Sequence, residues 1–244
     1  MPATTCESTL VQNMLSDQSN YYSADSLAKL GAGFLVGGVM ANTTIDEGIR
    51  RHFQASIRGA SSDEWFEGLR ANRELGNGLY TLPILTTAWA GGRLFDGQPG
   101  AKPIGDWGER SLRTFVVGAP PMLAMQYLTG ASRPGEKTSQ SHWEPFQDIN
   151  GVSGHSFMGA IPFINAAMLT DDPALKTLFY AGSSLAPLSR INDDAHYASQ
   201  ALLGWWMAYV AASAVDATMT GESSWRILPF PDSSVTGIAI EHRR

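Results

Sequence analysis

The sequence predicts an all-α fold: a single-domain bundle of about six core helices, with additional surface helices and a short extended C-terminal tail. Two observations predict this class. Long segments without a charged residue alternate with polar segments that carry helix-capping residues, and apolar residues recur at helical spacing in the amphipathic parts. A chain of 244 residues can build one sizeable core. The charge-free segments cover residues 76–92, 114–132, 151–170 and 197–215.

The N-terminal residues differ in character from the rest of the chain. Residues 1–22 are polar and irregular, which predicts a flexible arm, and residues 23–244 are predicted to form the helical domain. Ser23 or Asp25 can cap a first helix over residues 26–40. Because the centre of this helix is apolar on every face, we expect it to be buried.

Two capping boxes, Thr44 to Glu47 and Ser61 to Glu64, predict two surface helices. In the first, Ile45, Ile49 and Phe53 follow one another at four-residue steps and form an apolar face. The second helix is expected to end near Asn72.

Further helices and one long loop complete the predicted bundle. A Pro-Pro step at 120–121 is expected to kink or break the helix that contains it. The segment 131–150 has no apolar periodicity and is predicted as a loop, a type of segment that tends to be functional in compact domains. The tail is predicted as extended chain or a short hairpin. These helices are expected over 78–90 (buried), 106–129, 154–168, 174–188 and 194–219, and the tail over 225–240.

Composition excludes some classes of function. The net charge is −6 and the isoelectric point about 5.3, so the chain lacks the basic footprint of a nucleic-acid-binding protein. Cys6 is the one cysteine, which excludes an intramolecular disulfide. The N-terminus shows no basic region followed by an apolar one, so no signal peptide is expected in this chain.

Contact with a membrane surface is an open alternative. Only 16% of the residues are charged, against about 25% in typical globular proteins. The mean hydropathy of −0.11 nevertheless favours buried helices of a soluble bundle over membrane spans. Gly33 and Gly37 are spaced for close helix packing, in water or in lipid. The expected location is the bacterial periplasm or a membrane-associated position.

Three polar islands stand at the ends of predicted helices and are chemically matched. They are Ser132 to Pro134, Ser153 to Ser156, and Ser189 to His196. Arginine holds a tetrahedral oxyanion with two parallel hydrogen bonds and a permanent charge. A helix N-terminus with a Ser-Gly step adds backbone N–H groups, and histidine suits nucleophilic and acid roles near neutrality. If these helices pack as neighbours, the islands converge into one oxyanion site at an end of the bundle.

These islands resemble the type-2 phosphatidic acid phosphatase superfamily, which includes bacterial non-specific acid phosphatases and vanadium-dependent haloperoxidases. The match consists of Arg133-Pro134, Ser153 to His155, and Ser189-Arg190 with His196 six residues after the arginine. The motifs extend over residues 126–200. The family signature also has a lysine seven residues before the first arginine, a proline before Ser-Gly-His, and an aspartate four residues after the second histidine.

The resemblance implies a role for each matched residue. His196 would attack phosphorus and become a phosphohistidine, and His155 would protonate the leaving oxygen and later activate water. The three equatorial oxygens would be held by Arg133, Arg190, Ser153 and the Gly154 N–H. No metal is needed for this chemistry. The neighbouring Asp193 and Asp194 are expected to cap the following helix rather than to bind a metal.

Three positions depart from the family pattern. Gln126 stands at the lysine position of the phosphate site, Val152 at the proline, and Gln200 at the aspartate. An aspartate there would orient His196 and stabilise its positive form, whereas an amide can accept the same N–H but adds no charge. Asp148, Asp193 or Asp194 could supply the missing carboxylate.

The function expected from the sequence is a metal-independent phosphatase acting on a phosphomonoester or a diphosphate, with a lipid-linked substrate as one option. A vanadate-dependent haloperoxidase, with vanadate in the same cradle and ligated by His196, is one alternative. A family member that binds phosphate or phospholipid without turnover is the other. The oligomeric state is left open.

Overall fold

The computed structural model describes residues 9–58, 64–136, 140–221, 224–231 and 236–243, and they form a helical bundle followed by a two-stranded hairpin. The all-α, single-domain prediction is confirmed. The helices are α1 (Leu10–Tyr21), α2 (Ala24–Ala41), α3 (Ile45–Phe53), α4 (Glu64–Ala71), α5 (Gly78–Leu94), α6 (Ala101–Thr129), α7 (Gly154–Met168), α8 (Pro173–Ser183), α9 (Leu185–Asn192) and α10 (Ala198–Thr220); a π-helical turn (Gln54–Arg58) follows α3, and a 3-10 helix (Asn72–Gly76) follows α4.

Helix α10 lies at the centre of the bundle and contacts α1, α2, α6, α7 and α9. Its neighbour α7 also contacts α6, α8 and α9. The side chains between α6, α7 and α10 form the main core. Its fully buried members include Val152, Phe157, Ile161, Ile164, Leu203 and Met207. Helix α7, which begins with the second polar island, therefore packs directly against α9 and α10, the helices on either side of His196 in the third island.

Residues 10–21 are helical and docked, so the prediction of a flexible arm over 1–22 is wrong for this part. Thr9 caps α1 through the N–H of Gln12. The Asp17 carboxylate is buried and accepts two hydrogen bonds from the Arg113 guanidinium, at 2.7 and 2.8 Å. Asn20 donates to the Ala214 carbonyl at 3.2 Å. Buried polar contacts hold this helix on the bundle. A polar sequence is compatible with such a helix as well as with a solvated arm, so the sequence alone did not predict the helix.

Helix α2 forms where predicted, with Ser23 as its N-cap, but it is not a buried helix. Only Ser26, Gly37 and Ala41 are buried within it. The Gly33–Gly37 step does provide the predicted close packing: a Cβ on Gly37 would lie 2.8 Å from Leu203, and one on Gly33 would overlap Trp206. The outward face exposes the apolar side chains of Leu27, Leu35, Val36 and Val39.

Among the described helices, α2 is the one whose length and apolar character would allow it to cross a membrane, and 17% of it is buried. A core helix of a soluble protein or a signal sequence meets the same criteria. Helix α5, also predicted to be buried, likewise exposes Leu79, Tyr80 and Ile84. Apolar composition therefore did not predict burial for either helix.

Several helix boundaries differ from the predictions. Thr44 makes no side-chain cap for α3, and its backbone, at φ −80° and ψ 1°, lacks the extended conformation typical of an N-cap. Helix α6 begins at Ala101 and continues through the Pro120-Pro121 step without a break. The predicted helix 174–188 is two helices, α8 and α9, that meet at Ser184.

The remaining differences lie at the two surface segments. The capping box at Ser61 falls on residues 61–63, outside the described residues; the helix after it, α4, ends at Ala71 and continues as the 3-10 helix. The C-terminal hairpin confirms the prediction for the tail. Its strands are β1 (Ser224–Pro231) and β2 (Thr236–Arg243), and they pair antiparallel.

The substitution Asp17→Ala should destabilise the protein by about 3 kcal/mol, because it leaves the buried Arg113 charge without its bidentate partner. Urea unfolding measures this loss. The control is Asp106→Ala, which removes an exposed ion pair to Lys102 and should cost less than about 1 kcal/mol. If both variants lost the same small amount of unfolding free energy, the ion pair that joins α1 to α6 would not stabilise the bundle.

Candidate functional site

The three polar islands converge at one end of the bundle, and Gln200 joins them. Its side-chain Nε2 donates to the Ser132 carbonyl at 2.8 Å, and its backbone carbonyl accepts the Ser153 N–H at 2.9 Å. Its Oε1 lies 2.9 Å from Nδ1 of His196. One fully buried residue therefore contacts the first island, the second island and the histidine of the third.

The hydrogen bonds of Gln200 also determine the tautomer of His196. Because Nε2 of the amide faces the Ser132 carbonyl and Oε1 accepts the Tyr197 N–H at 3.1 Å, the amide presents oxygen to the imidazole. Nδ1 of neutral His196 must then carry the proton, which leaves the lone pair on Nε2. Burial lowers the pKa of His196 to about 3, and the charges of Arg133 and Arg190 act in the same direction. The imidazole of His196 is therefore neutral above about pH 3.

The loop that carries His196 is braced by α3. Asp194 has a positive φ of 54°, which is uncommon for a residue with a side chain. Arg50 donates to both of its carboxylate oxygens, at 2.7 and 2.8 Å, and thereby holds this conformation. The buried Asp46 accepts the N–H and hydroxyl of Ser199 at 2.9 and 2.5 Å. Two contacts from one surface helix thus position the start of α10, and no sequence pattern indicated them.

The second island forms the N-terminus of α7. The Ser153 hydroxyl oxygen accepts the Ser156 N–H and caps the helix, and its own proton can still be donated. The next N–H groups, at Gly154 and His155, point out of the first turn, where the helix dipole favours an anion. A Cβ on Gly154 would make only ordinary contacts, at 3.8 Å, so the protein itself leaves room there.

Gln126 supports this turn from α6. Its Nε2 donates to the Val152 carbonyl at 2.8 Å, immediately before Ser153. Gln126 stands where the superfamily that the motifs resemble has a lysine, and it lies at the site. One of its side-chain N–H groups holds the loop at Val152 and is not directed at a ligand.

His155 lies at the mouth of the site and is exposed on one side. Partial burial lowers its pKa first, and the charges of Arg190 and Arg133 lower it further. Its backbone packs against Gly76, so the 3-10 helix borders the site, and the nearby Glu74 carboxylate partly offsets the effect of the two arginines. Sequence reasoning did not indicate this 3-10 helix as part of the site.

Arg190 is buried, and its hydrogen bonding is incomplete. One terminal nitrogen donates to Asp193 at 2.9 Å, whereas its Nε is buried without any partner among the described residues. Burial lowers the pKa of the guanidinium, and Asp193 opposes that shift. Because a buried unpaired donor is costly, this N–H indicates a site that an acceptor oxygen would complete.

Arg133 reaches the site from the loop after α6. Gly130 ends the helix with a positive φ of 61°, and a Cβ there would overlap the Glu144 carbonyl, so the turn requires glycine. Asn150 accepts from Arg133 Nε at 2.8 Å and orients the guanidinium, which remains half exposed. Glu136 lies 4.0 Å from one of its terminal nitrogens.

The three carboxylates considered as partners of His196 have other contacts. Asp193 pairs with Arg190, Asp194 pairs with Arg50, and Asp148 accepts from Ser132 and Asn150. The prediction that Asp193 and Asp194 cap the next helix is wrong, because α10 begins at Ala198 and has Tyr197 as its N-cap. The Gln200 amide remains as the group that bonds His196 Nδ1.

The described part of the chain holds no group of three or more His, Cys, Asp or Glu side chains that could bind a metal. No protein-family model matches the chain, and no curated protein or solved structure matches it either.

Replacing Gln200 by leucine should destabilise the fold by about 3 kcal/mol or more, because three buried partners lose their hydrogen bonds at about 1 kcal/mol or more each. Gln126→Leu is the matched control: it removes the hydrogen bond to the Val152 carbonyl from a half-buried position and should cost about 1 kcal/mol. Chemical denaturation compares the two variants. A Gln200 variant no less stable than the Gln126 variant would refute the joining role.

Proposed function

We propose that this protein is a metal-independent phosphatase of the type-2 phosphatidic acid phosphatase superfamily, acting on phosphomonoesters or diphosphates through a phosphohistidine at His196. The observation that carries the proposal is the orientation of His196, whose proton is held on Nδ1 by Gln200 beside a buried arginine with an unpaired N–H. A nucleophile with its lone pair available and an incomplete oxyanion cradle next to it are the two parts that phosphoryl transfer needs.

The first chemical step forms a nitrogen–phosphorus bond. Nε2 of His196 attacks the phosphorus, and the bond to the leaving oxygen breaks as His155 donates its proton to that oxygen. The guanidinium groups of Arg133 and Arg190, with the N–H groups at the start of α7, hold the three remaining oxygens and neutralise their charge.

The second step returns the protein to its starting state. The neutral His155 accepts a proton from water as the water oxygen attacks the phosphorus. The nitrogen–phosphorus bond breaks, inorganic phosphate leaves, and the electron pair returns to Nε2 of His196.

The amide at position 200 changes the energetics without changing the geometry. It holds the imidazole in the tautomer that an aspartate would select, but it gives no charge to stabilise the positive phosphohistidine. A matching aspartate would also lose the bond to Ser132, because its shorter side chain has no N–H to donate. Gln200 therefore combines orientation of the nucleophile with support for the Arg133 loop.

Replacing His196 by alanine should abolish hydrolysis of a phosphate-ester panel and remove an acid-labile phosphoprotein that a phosphoryl donor forms on the wild type. His142, a histidine of the 131–150 loop that has no role in the proposed chemistry, provides the control His142→Ala, which should retain both. Anion binding by wild type and His196→Ala without any phosphoprotein would favour the non-catalytic binding protein. Peroxide-dependent halide oxidation with added vanadate, in the absence of ester hydrolysis, would favour the haloperoxidase.

The pH dependence should show an acidic optimum. The reactive form needs neutral His196, which exists above about pH 3, and protonated His155, whose pKa is lowered below its usual value of about 6.5. The ratio kcat/KM should therefore rise through pH 3 and fall before neutrality. In His155→Gln the decrease of kcat/KM on the alkaline side of the optimum should disappear. The ionisation of the substrate affects both proteins equally, so it cancels when the kcat/KM of one protein is divided by that of the other. If kcat/KM of the wild type rose with pH only at pH 6 or above, this result would contradict the environment described for His196.

A further inference from the structure

One side of α3 carries three polar side chains that all contact the segment holding His196. Asp46, Arg50 and Gln54 follow one another at four-residue steps, so they lie on the same side of α3 and of the π-helical turn after it. These three side chains are called the polar face of α3 below. The segment that they contact, residues 191–199, is called the nucleophile segment.

The polar face runs antiparallel to the nucleophile segment and reaches both of its ends. At one end, Asp46 accepts the N–H and the hydroxyl of Ser199. At the other end, Nε2 of Gln54 donates to the Ile191 carbonyl at 3.2 Å and to the carbonyl after it at 3.4 Å. The contacts therefore extend along the whole segment.

Asp46 caps α10 from a different helix. Helix α10 begins at Ala198, and the N–H of Ser199 in its first turn has no partner within the helix. The Asp46 carboxylate accepts this N–H at 2.9 Å, as the side chain of an N-cap residue would. The start of the helix that carries Gln200 is thereby fixed to α3.

The turn within the nucleophile segment couples His196 to Arg190. The N–H groups of Ala195 and His196 both donate to the Arg190 carbonyl, at 3.0 and 3.2 Å. The turn passes through Asp194, whose left-handed backbone is held by the two hydrogen bonds from Arg50. A shift of Asp194 would therefore move the nucleophile relative to the arginine assigned to the phosphate oxygens.

The contacts of Arg50 favour an indirect role over substrate binding. Its Nε and one terminal nitrogen donate to Asp194, and its other terminal nitrogen donates to Glu47 at 3.4 Å. All three nitrogens of the guanidinium thus have carboxylate partners, and two negative charges face its positive charge. Arg50 differs in this respect from Arg190, whose Nε is unpaired among the described residues.

We propose that Asp46, Arg50 and Gln54 are positioning residues for phosphoryl transfer, because they hold Arg190 and His196 in reactive geometry from outside the site. This inference rests on the proposed phosphatase function. Displacement of reacting groups acts on the transition state more than on substrate binding, so the loss appears in kcat more than in KM.

The test is a double-mutant cycle on Arg50 and Asp194, with para-nitrophenyl phosphate as the substrate. Arg50→Met removes the charge at similar length, and Asp194→Asn removes the opposite charge with a residue that accepts the left-handed backbone. We expect kcat to fall about tenfold in the first variant and about threefold in the second, with KM within about twofold. The double variant should lose about tenfold, whereas independent effects would give roughly 30-fold.

Arg51→Met is the matched control. Arg51 is an exposed neighbour of Arg50 on α3 and lies about 100° around the helix from it. The control removes the same charge from the same helix, and its kcat and KM should match those of the wild type. A loss of kcat equal to that of Arg50→Met, or additive losses in the cycle, would overturn the positioning role.

A milder variant and a second measurement guard against misfolding. Gln54→Ala removes only the two hydrogen bonds to backbone carbonyls and should lower kcat about threefold. Hydrogen exchange of the Ala195 and His196 amides should be about tenfold faster in Arg50→Met than in the wild type or Arg51→Met. The amide of Ile161, in the core of α7, should exchange equally in all three proteins.

The two measurements separate this inference from the phosphatase proposal. Faster exchange with unchanged kcat would overturn the positioning role and leave the phosphatase intact. Absence of hydrolysis by the wild type for every ester would overturn the phosphatase. Exchange would then decide the structural part alone: faster exchange of the two amides in Arg50→Met supports the hold of α3 on the nucleophile segment, and unchanged exchange refutes it.

Discussion

The hydrogen bonds of Gln200 are the constraint on which the candidate site depends. The three polar islands come from different parts of the chain, and each lies at or beside the end of a helix, where some backbone groups have no partner within the helix. Gln200 supplies those partners from within the rigid central helix. Its side chain and backbone carbonyl contact Ser132, Ser153, His196 and Tyr197. One buried residue therefore links the loop that carries Arg133, the start of α7 and the imidazole of His196.

The choice of an amide at this point is consistent with its surroundings. The site end of the bundle holds the guanidinium groups of Arg133 and Arg190, with Arg73 close enough to act on Arg190. A protonated imidazole between them would be buried among like charges, so the neutral form is favoured. Carboxylates are present, but each is paired with an arginine or with the 131–150 loop. The positive charge thus remains directed toward the position where an anionic ligand would complete Arg190.

Sequence patterns predicted the parts of this structure that depend on local chemistry. The helix predicted over 154–168 is one example: α7 begins at Gly154 and ends at Met168, as predicted. The grouping of the islands was a consequence of packing between neighbouring helices and could be expected. By contrast, Asp17 finds its partner 96 residues away, and Asp46 finds Ser199 at 153 residues. Such long-range polar contacts leave no local signature, which explains the failure to predict α1 and the brace from α3.

Apolar composition was misleading for a related reason. It indicates that a helix is compatible with a core, but the neighbours decide which face is covered. The inner face of α2 is occupied by Trp206 and Leu203, and no described element covers Leu35 or Val39.

The ion pair between Arg50 and Asp194 and the backbone conformation at residue 194 favour different residue types at position 194. The left-handed backbone at residue 194 is most easily adopted by glycine or asparagine, whereas the contact to Arg50 requires a carboxylate of this length. Glycine would relieve the backbone but release the surface helix; glutamate would keep the charge but suit the backbone poorly. The left-handed backbone and the contact to Arg50 therefore both limit which residues can replace Asp194. We expect a substitution at position 194 to be tolerated only together with a substitution at position 50. The two positions, 144 residues apart, form a coupled pair that links a surface helix to the loop carrying His196, so that a change at one of them restricts the residues tolerated at the other.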